Sequence, residues 1–172
     1  MFVPILAYHK IQNKFEFGVS YTRPKQFERQ IQYLANHGFS SLSIADYING
    51  IDVNEKKVII TFDDAYTSVY ENALPVLEKY NFTASIFVIT KFVGKYNNWD
   101  YHLNNHRTEH CNWSEIRELA SKGWEIGSHT VSHPNLTTLS QKNLWYELRY
   151  SKDILENHLN RKIHTFSYPF GS

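Results

Sequence analysis

The sequence predicts an α/β fold, a parallel β-sheet, open or closed into a barrel, with helices packed against it. Three observations predict it. Val58-Ile59-Ile60-Thr61-Phe62 is a run of β-branched and aromatic residues, the composition of a strand buried on both faces. Several short apolar segments alternate with stretches of helical periodicity, which is the pattern of βαβ units. The chain has 172 residues and 42% hydrophobic content, enough for a sizeable core, so residues 1–172 read as one domain.

In chain order, Val3 to Tyr8 reads as a buried strand with Pro4 near its start, and His9 falls at its carboxyl end. Lys10 to Ser20 reads as a polar loop. Thr22 is a plausible helix N-cap with Pro24 in the first turn; Phe27, Ile31 and Leu34 form the apolar stripe and Gly38 the stop. Phe39 to Ile44 is a second strand, and Asp46 to Asn49 a short helix before a turn at Gly50. After the strand at Val58, Ser68 to Tyr80 is helical in pattern, and Pro75 should kink or split it. Ala84 to Ile89 is the next strand, and Thr90 to Cys111 reads as an irregular insertion. Asn112 caps a helix through Lys122, with Glu115 placed for a capping box. A Gly123 turn leads into a short strand, Trp124 to Ser128. Ser140 caps the longest helix, which runs to about Asn160 and buries Leu144, Leu148, Leu155 and Leu159. Ile163 to Tyr168 is the last strand.

Two of these strand ends carry chemistry. Asp63 and Asp64 follow Phe62, and buried carboxylates are rare unless paired or bound to a metal. In α/β sheets, reactive groups collect at the carboxyl ends of strands. The alternative is that Asp64 caps the following helix while Asp63 lies in solvent. The second end is Ser128-His129-Thr130-Val131-Ser132-His133-Pro134. Histidines at i and i+4 on a helical turn share one face and can share one metal. Two His and one Asp make three protein ligands and leave a position open for water.

A third stretch, Ser167-Tyr168-Pro169-Phe170-Gly171, completes a pattern. Thr61-Phe62-Asp63-Asp64-Ala65, Ser128 to His133 and Ser167 to Gly171, in that order, resemble the polysaccharide deacetylases, also called the NodB-homology family or carbohydrate esterase family 4. The resemblance implies a distorted, incomplete (β/α) barrel. It makes Asp63 the general base, Asp64, His129 and His133 the metal ligands, and the Phe170 N–H an oxyanion donor. Zinc is the expected ion; the His₂Asp set also accepts nickel, cobalt or iron. Ser167 stands where the family usually has the Arg that orients the catalytic Asp. Two later family motifs would lie beyond Ser172, so the end at Gly171-Ser172 reads as a truncation. Tyr8-His9-Lys10-Ile11 is similar to the start of a branch that includes poly-N-acetylglucosamine deacetylases. Motifs are circularly permuted in that branch, which makes His9 the candidate general acid. The alternative for His9 is a packed histidine that hydrogen-bonds a loop.

Aromatic residues make up 16% of the chain, and sugar rings stack on exposed aromatic faces. Tyr96, Trp99, Tyr101 and Trp113 are platform candidates, with Trp99 and Trp113 preferred. Tyr66 beside the metal site and Tyr168 in the third motif are the other expected substrate contacts. His102, His106 and His110 are spaced by four, but the stretch they span holds no acidic residue beyond Glu109, which makes a poor second metal site.

The net charge of +1 and the lack of any Lys/Arg run make nucleic acid and anionic membrane poor candidate partners. Cys111 is the single cysteine, so no internal disulfide forms. The first residues lack a basic segment and their apolar run is too short for a signal peptide or a membrane helix. Location stays open between the cytoplasm and, by resemblance, the cell envelope or the exterior. The expectation is a monomeric, metal-dependent deacetylase. It would remove the N-acetyl or O-acetyl group of an amino-sugar polysaccharide or lipid-linked glycan. The alternatives are a non-catalytic glycan-binding module on the same fold and a metalloamidase acting on a non-sugar amide.

Overall fold

The computed structural model describes residues 3–14, 21–50, 56–96 and 108–171. The strands are β1 (Ile5–Tyr8), β2 (Lys10–Ile11), β3 (Tyr21–Thr22), β4 (Ser40–Leu42), β5 (Lys57–Phe62), β6 (Ser85–Val88) and β7 (Glu125–Ser128). The helices are α1 (Pro24–Asn36), α2 (Ile44–Ile48), α3 (Thr67–Asn72), α4 (Leu74–Lys79), α5 (Trp113–Ser121) and α6 (Gln141–Leu159). The main sheet runs β1-β5-β6-β7, with β4 set against the first half of β5, and every pairing is parallel. Beyond β7, the segment around Phe166 joins through a single parallel bridge to Ser128. The last strand expected over Ile163 to Tyr168 is reduced to that bridge. This is the incomplete (β/α) barrel that the resemblance implies.

The two faces of β5 divide the molecule. Ile60 and Phe62 face a core closed by Phe27 and Ile31 of α1, Val69 of α3, Leu77 of α4, Ile116 and Leu119 of α5 and Leu155 of α6. Ile59 faces the other way, into a small cluster with Val3 and Leu42. Along that inner face the period of two continues: Ile59 and Thr61 on β5 with Asp63 just after it, and Ala7 on β1 with His9 just after it. The register aligns them, with Ala7 opposite Thr61 and Ser85 opposite both Thr61 and Glu125. At the carboxyl end of this inner layer, strand ends from different parts of the chain converge and bring His9 and Asp63 together.

Local differences from expectation have physical reasons. Pro24 sets the start of α1, so Arg23 rather than Thr22 occupies the N-cap, and it caps through no side-chain bond. Lys10 and Ile11 are not loop but buried strand; Ile11 enters the core and the Lys10 ammonium lies 4.6 Å from the centre of the Tyr66 ring. α2 begins at Ile44, earlier than expected, because Ser43 and Asp46 form a capping box. Pro75 splits the expected helix into α3 and α4 at Ala73. Asn112 and Glu115 form the expected capping box on α5. α6 starts and stops where expected, at Ser140 and at the left-handed Asn160, but its buried face holds Glu147, Ser151 and Leu155. Leu148, expected in the core, is 37% exposed.

Candidate metal and catalytic site

At the carboxyl ends of the strands lies a cavity of about 650 Å³. Ala7, Ile44, Thr61 and Phe87 form its inner wall; His9, Asp63, Asp64, His129 and His133 stand above them, with Tyr168 and Phe170 on the rim.

Asp64 turns out of the sheet in a left-handed conformation, φ 69°, followed by Ala65 at φ 53°. Such backbone persists when its surroundings over-determine it. Here the segment 109–111 does so. The His110 Nδ1–H donates to the Asp64 carbonyl at 2.6 Å, the Cys111 N–H to the Ala65 carbonyl at 2.8 Å, and the Thr67 N–H to the Glu109 carbonyl at 2.9 Å. His110 is buried and its ring packs against Tyr66 and Phe92. His110 therefore serves the backbone of Asp64. Its expected neighbours in spacing, His102 and His106, lie outside the described residues.

The two histidines do not sit on a helical turn. Residues 129–133 form a loop, with Thr130 at φ 70° and His133 at φ 60°. The loop still brings the rings together, edge to face with centroids 4.8 Å apart. Asp64 Oδ1 lies 3.4 Å from His129 Nε2 and 3.6 Å from His133 Nε2. A tetrahedral ion with bonds of about 2.1 Å needs ligand atoms about 3.4 Å apart, so this donor set fits such an ion. The three donor atoms all lie within 4.8 Å of one another. His129 Nδ1–H donates to the Ser167 carbonyl at 2.8 Å, which fixes the tautomer that leaves Nε2 as a lone-pair donor. Burial pushes His129 down to about 4, so its ring is neutral, the form a metal needs.

Asp63 is half-buried. Burial pushes its carboxyl above the ordinary carboxylate range, opposed by His9, by a hydrogen bond with the Ser167 side chain and by His133. Ser167 thus meets both halves of the site: its carbonyl holds His129 and its side chain holds Asp63. That contact stands where the family pattern would place an Arg.

The rim is aromatic. Phe170, at φ 59°, is 69% exposed and its ring lies edge-on to His133 at 4.8 Å. Tyr168 is 61% exposed and packs edge-on to Phe166. Tyr66 borders the cavity but is only 1% exposed, so little of it is free to meet a ligand. Trp113 does not line the cavity. Its ring stacks on His158 at 3.8 Å, with its inner edge against the core, and that position gives no support to the substrate contact expected of it. Trp99 and Tyr101 lie outside the described residues. No helix among the described residues is long and apolar enough to cross a membrane.

Residues 50–172 match the sequence family described as polysaccharide deacetylase. The protein YxkH of Bacillus subtilis (strain 168), whose name places it provisionally among polysaccharide deacetylases, is 34% identical over 98% of this chain and 57% of its own length. A poly-β-1,6-N-acetyl-D-glucosamine N-deacetylase of Staphylococcus aureus (strain MRSA252) is 29% identical over 85% of this chain and 52% of its own. The chain therefore spans little more than half the length of either relative. The deacetylase PplD of Streptococcus pyogenes, solved in complex with acetate, superposes with a TM-score of 0.82 at 28% identity. That match covers 97% of this chain and 73% of PplD.

Proposed function

Because the chain belongs to the polysaccharide deacetylase family, we propose that it is a metal-dependent hydrolase that removes acetyl groups from an amino-sugar glycan. The observation that carries the proposal is the convergence of Asp63, Asp64, His129 and His133 in one cavity, with donor atoms spaced for a single ion. A divalent ion held by Asp64, His129 and His133, zinc by preference, would supply Lewis acidity and lower the pKa of water toward ~7. Asp63 takes the proton of the attacking water, and burial, which raises its carboxyl above the ordinary carboxylate range, makes it a stronger base. Ser167 orients Asp63. The Phe170 N–H binds the oxyanion that forms on the acetyl carbonyl. His9, on the cavity wall beside Asp63, donates a proton to the departing amine. Tyr168 and Phe170 offer exposed faces to the sugar at the rim.

A substrate panel tests the reading. Acetate release should be fastest from an N-acetylglucosamine oligomer, slower from an O-acetylated sugar and absent from a non-sugar acetamide. Release from the simple acetamide at the sugar's rate would instead favour a general metalloamidase. Binding of the oligomer with no acetate release under any divalent metal would make the chain a glycan-binding module.

A further inference from the structure

Glu147 is buried on the inner face of α6 and contributes nothing to the cavity. Its carboxylate reaches instead into the loop between the two histidines. Oε2 accepts the Val131 N–H at 2.8 Å and the Ser132 N–H at 2.9 Å, and Oε1 accepts the Ser132 hydroxyl at 2.6 Å. A loop containing two left-handed residues does not hold its shape by local preference, and helical geometry does not set the distance from His129 to His133. Something outside the loop must set it. Within the loop, Thr130 Oγ1 accepts the His133 N–H at 2.9 Å and closes its far end. The near end is tied to the same helix. The Ser128 hydroxyl donates to Ser151 Oγ at 2.7 Å, and Ser151 donates to the Glu147 carbonyl at 2.7 Å.

We propose that Glu147 is a positioning residue that sets the separation of His129 and His133 by pinning the main chain between them to α6. The proposal rests on the reading that these histidines and Asp64 hold the metal. α6 has 19 residues, and acts as the rigid bar against which the loop is measured. The glutamate acts through geometry. A glutamine can keep all three bonds, its carbonyl taking both amides and its NH₂ donating to Ser132 Oγ. An aspartate, one methylene shorter, cannot reach both amides.

The test is cobalt(II) titration of the metal-stripped chain, followed by visible absorption, which reports the ligand geometry directly. Wild type should bind one equivalent. E147A and E147D should bind about 10–100-fold more weakly, with shifted bands, as expected when a group that orients a ligand is lost. E147Q should match wild type in both. If E147A does not fold, E147D carries the comparison. Wild-type affinity and bands in E147D would overturn the proposal, and so would an E147Q as weak as E147D. A wild type that binds no cobalt would overturn the metal centre itself and this inference with it.

Discussion

Asp63 and Asp64 are neighbours in sequence with opposite surroundings. Asp64 is 6% exposed and faces two imidazoles, whereas Asp63 stands beside His9 and Ser167. Their substitutions should therefore separate. Asp63→Asn should keep the metal and lose about 10²–10⁴-fold in turnover, the usual contribution of a general base. Asp64→Asn should release the metal. Metal content measured beside acetate release distinguishes them, and the reverse outcome would swap the roles. His9→Ala should leave metal content unchanged and slow amide hydrolysis far more than hydrolysis of an activated ester, whose leaving group needs no proton. Equal losses on both substrates would remove His9 from proton transfer. At this scale the sequence was informative where a residue type has one good reason to be present. Paired Asp at a strand end and paired His near another were legible. His110 and Ser167 were not, because a hydrogen bond to a distant carbonyl or carboxylate leaves no local pattern. Trp113 gained no support because aromatic character does not say which ring faces the cavity.

Among the elements, β7 is closely packed on both sides at Gly127. A Cβ on Gly127 would lie 2.5 Å from the Phe87 ring and 2.8 Å from Thr165 Oγ1. The glycine thus permits the close approach of β6 and of the segment that carries Ser167 to His129. Gly127→Ala should destabilise the protein by about 1–3 kcal/mol, the usual cost of overpacking, and should weaken metal binding because Ser167 moves. Chemical denaturation and a metal titration check both; an unchanged midpoint would mean that the contact relaxes freely. Element boundaries followed from Pro24, Pro75, Asn112 and Ser140, whose local chemistry is strong. The inner face of α6 did not. The expected stripe was leucines, and the rotation that the structure adopts buries Glu147 and exposes Leu148. The signal available was Ser151, a polar residue within the stripe of Leu144 and Leu155. The histidine pair was read as helical from its spacing, and the left-handed Thr130 and His133 show why spacing alone misleads.

For the molecule as a whole, parity along the strands explains how distant segments meet. His9, Asp63 and His129 each continue the inner face of the strand before them, so one parallel register delivers all three to one cavity. Parallel alternation was legible in the sequence; the family resemblance, not the alternation, supplied the incomplete barrel. The buried site also couples to stability. His129 is pushed down to about 4 from 6.5 by burial. Below pH 6.5 the unfolded chain takes up a proton that the folded site refuses until about pH 4, so the stability present above pH 6.5 is lost across that window. The Tm of the metal-free chain should fall from pH 6.5 to 4 more steeply in wild type than in His129→Gln; parallel curves would place the acid sensitivity elsewhere.

The most direct test is the rate of acetate release from an N-acetylglucosamine oligomer as zinc is added back to stripped protein. The rate should rise from near zero, reach its plateau at one equivalent, and stay near zero in the His129→Ala, His133→Ala double variant. A rate already present in the stripped protein, or a double variant that responds to zinc as wild type does, would contradict the account.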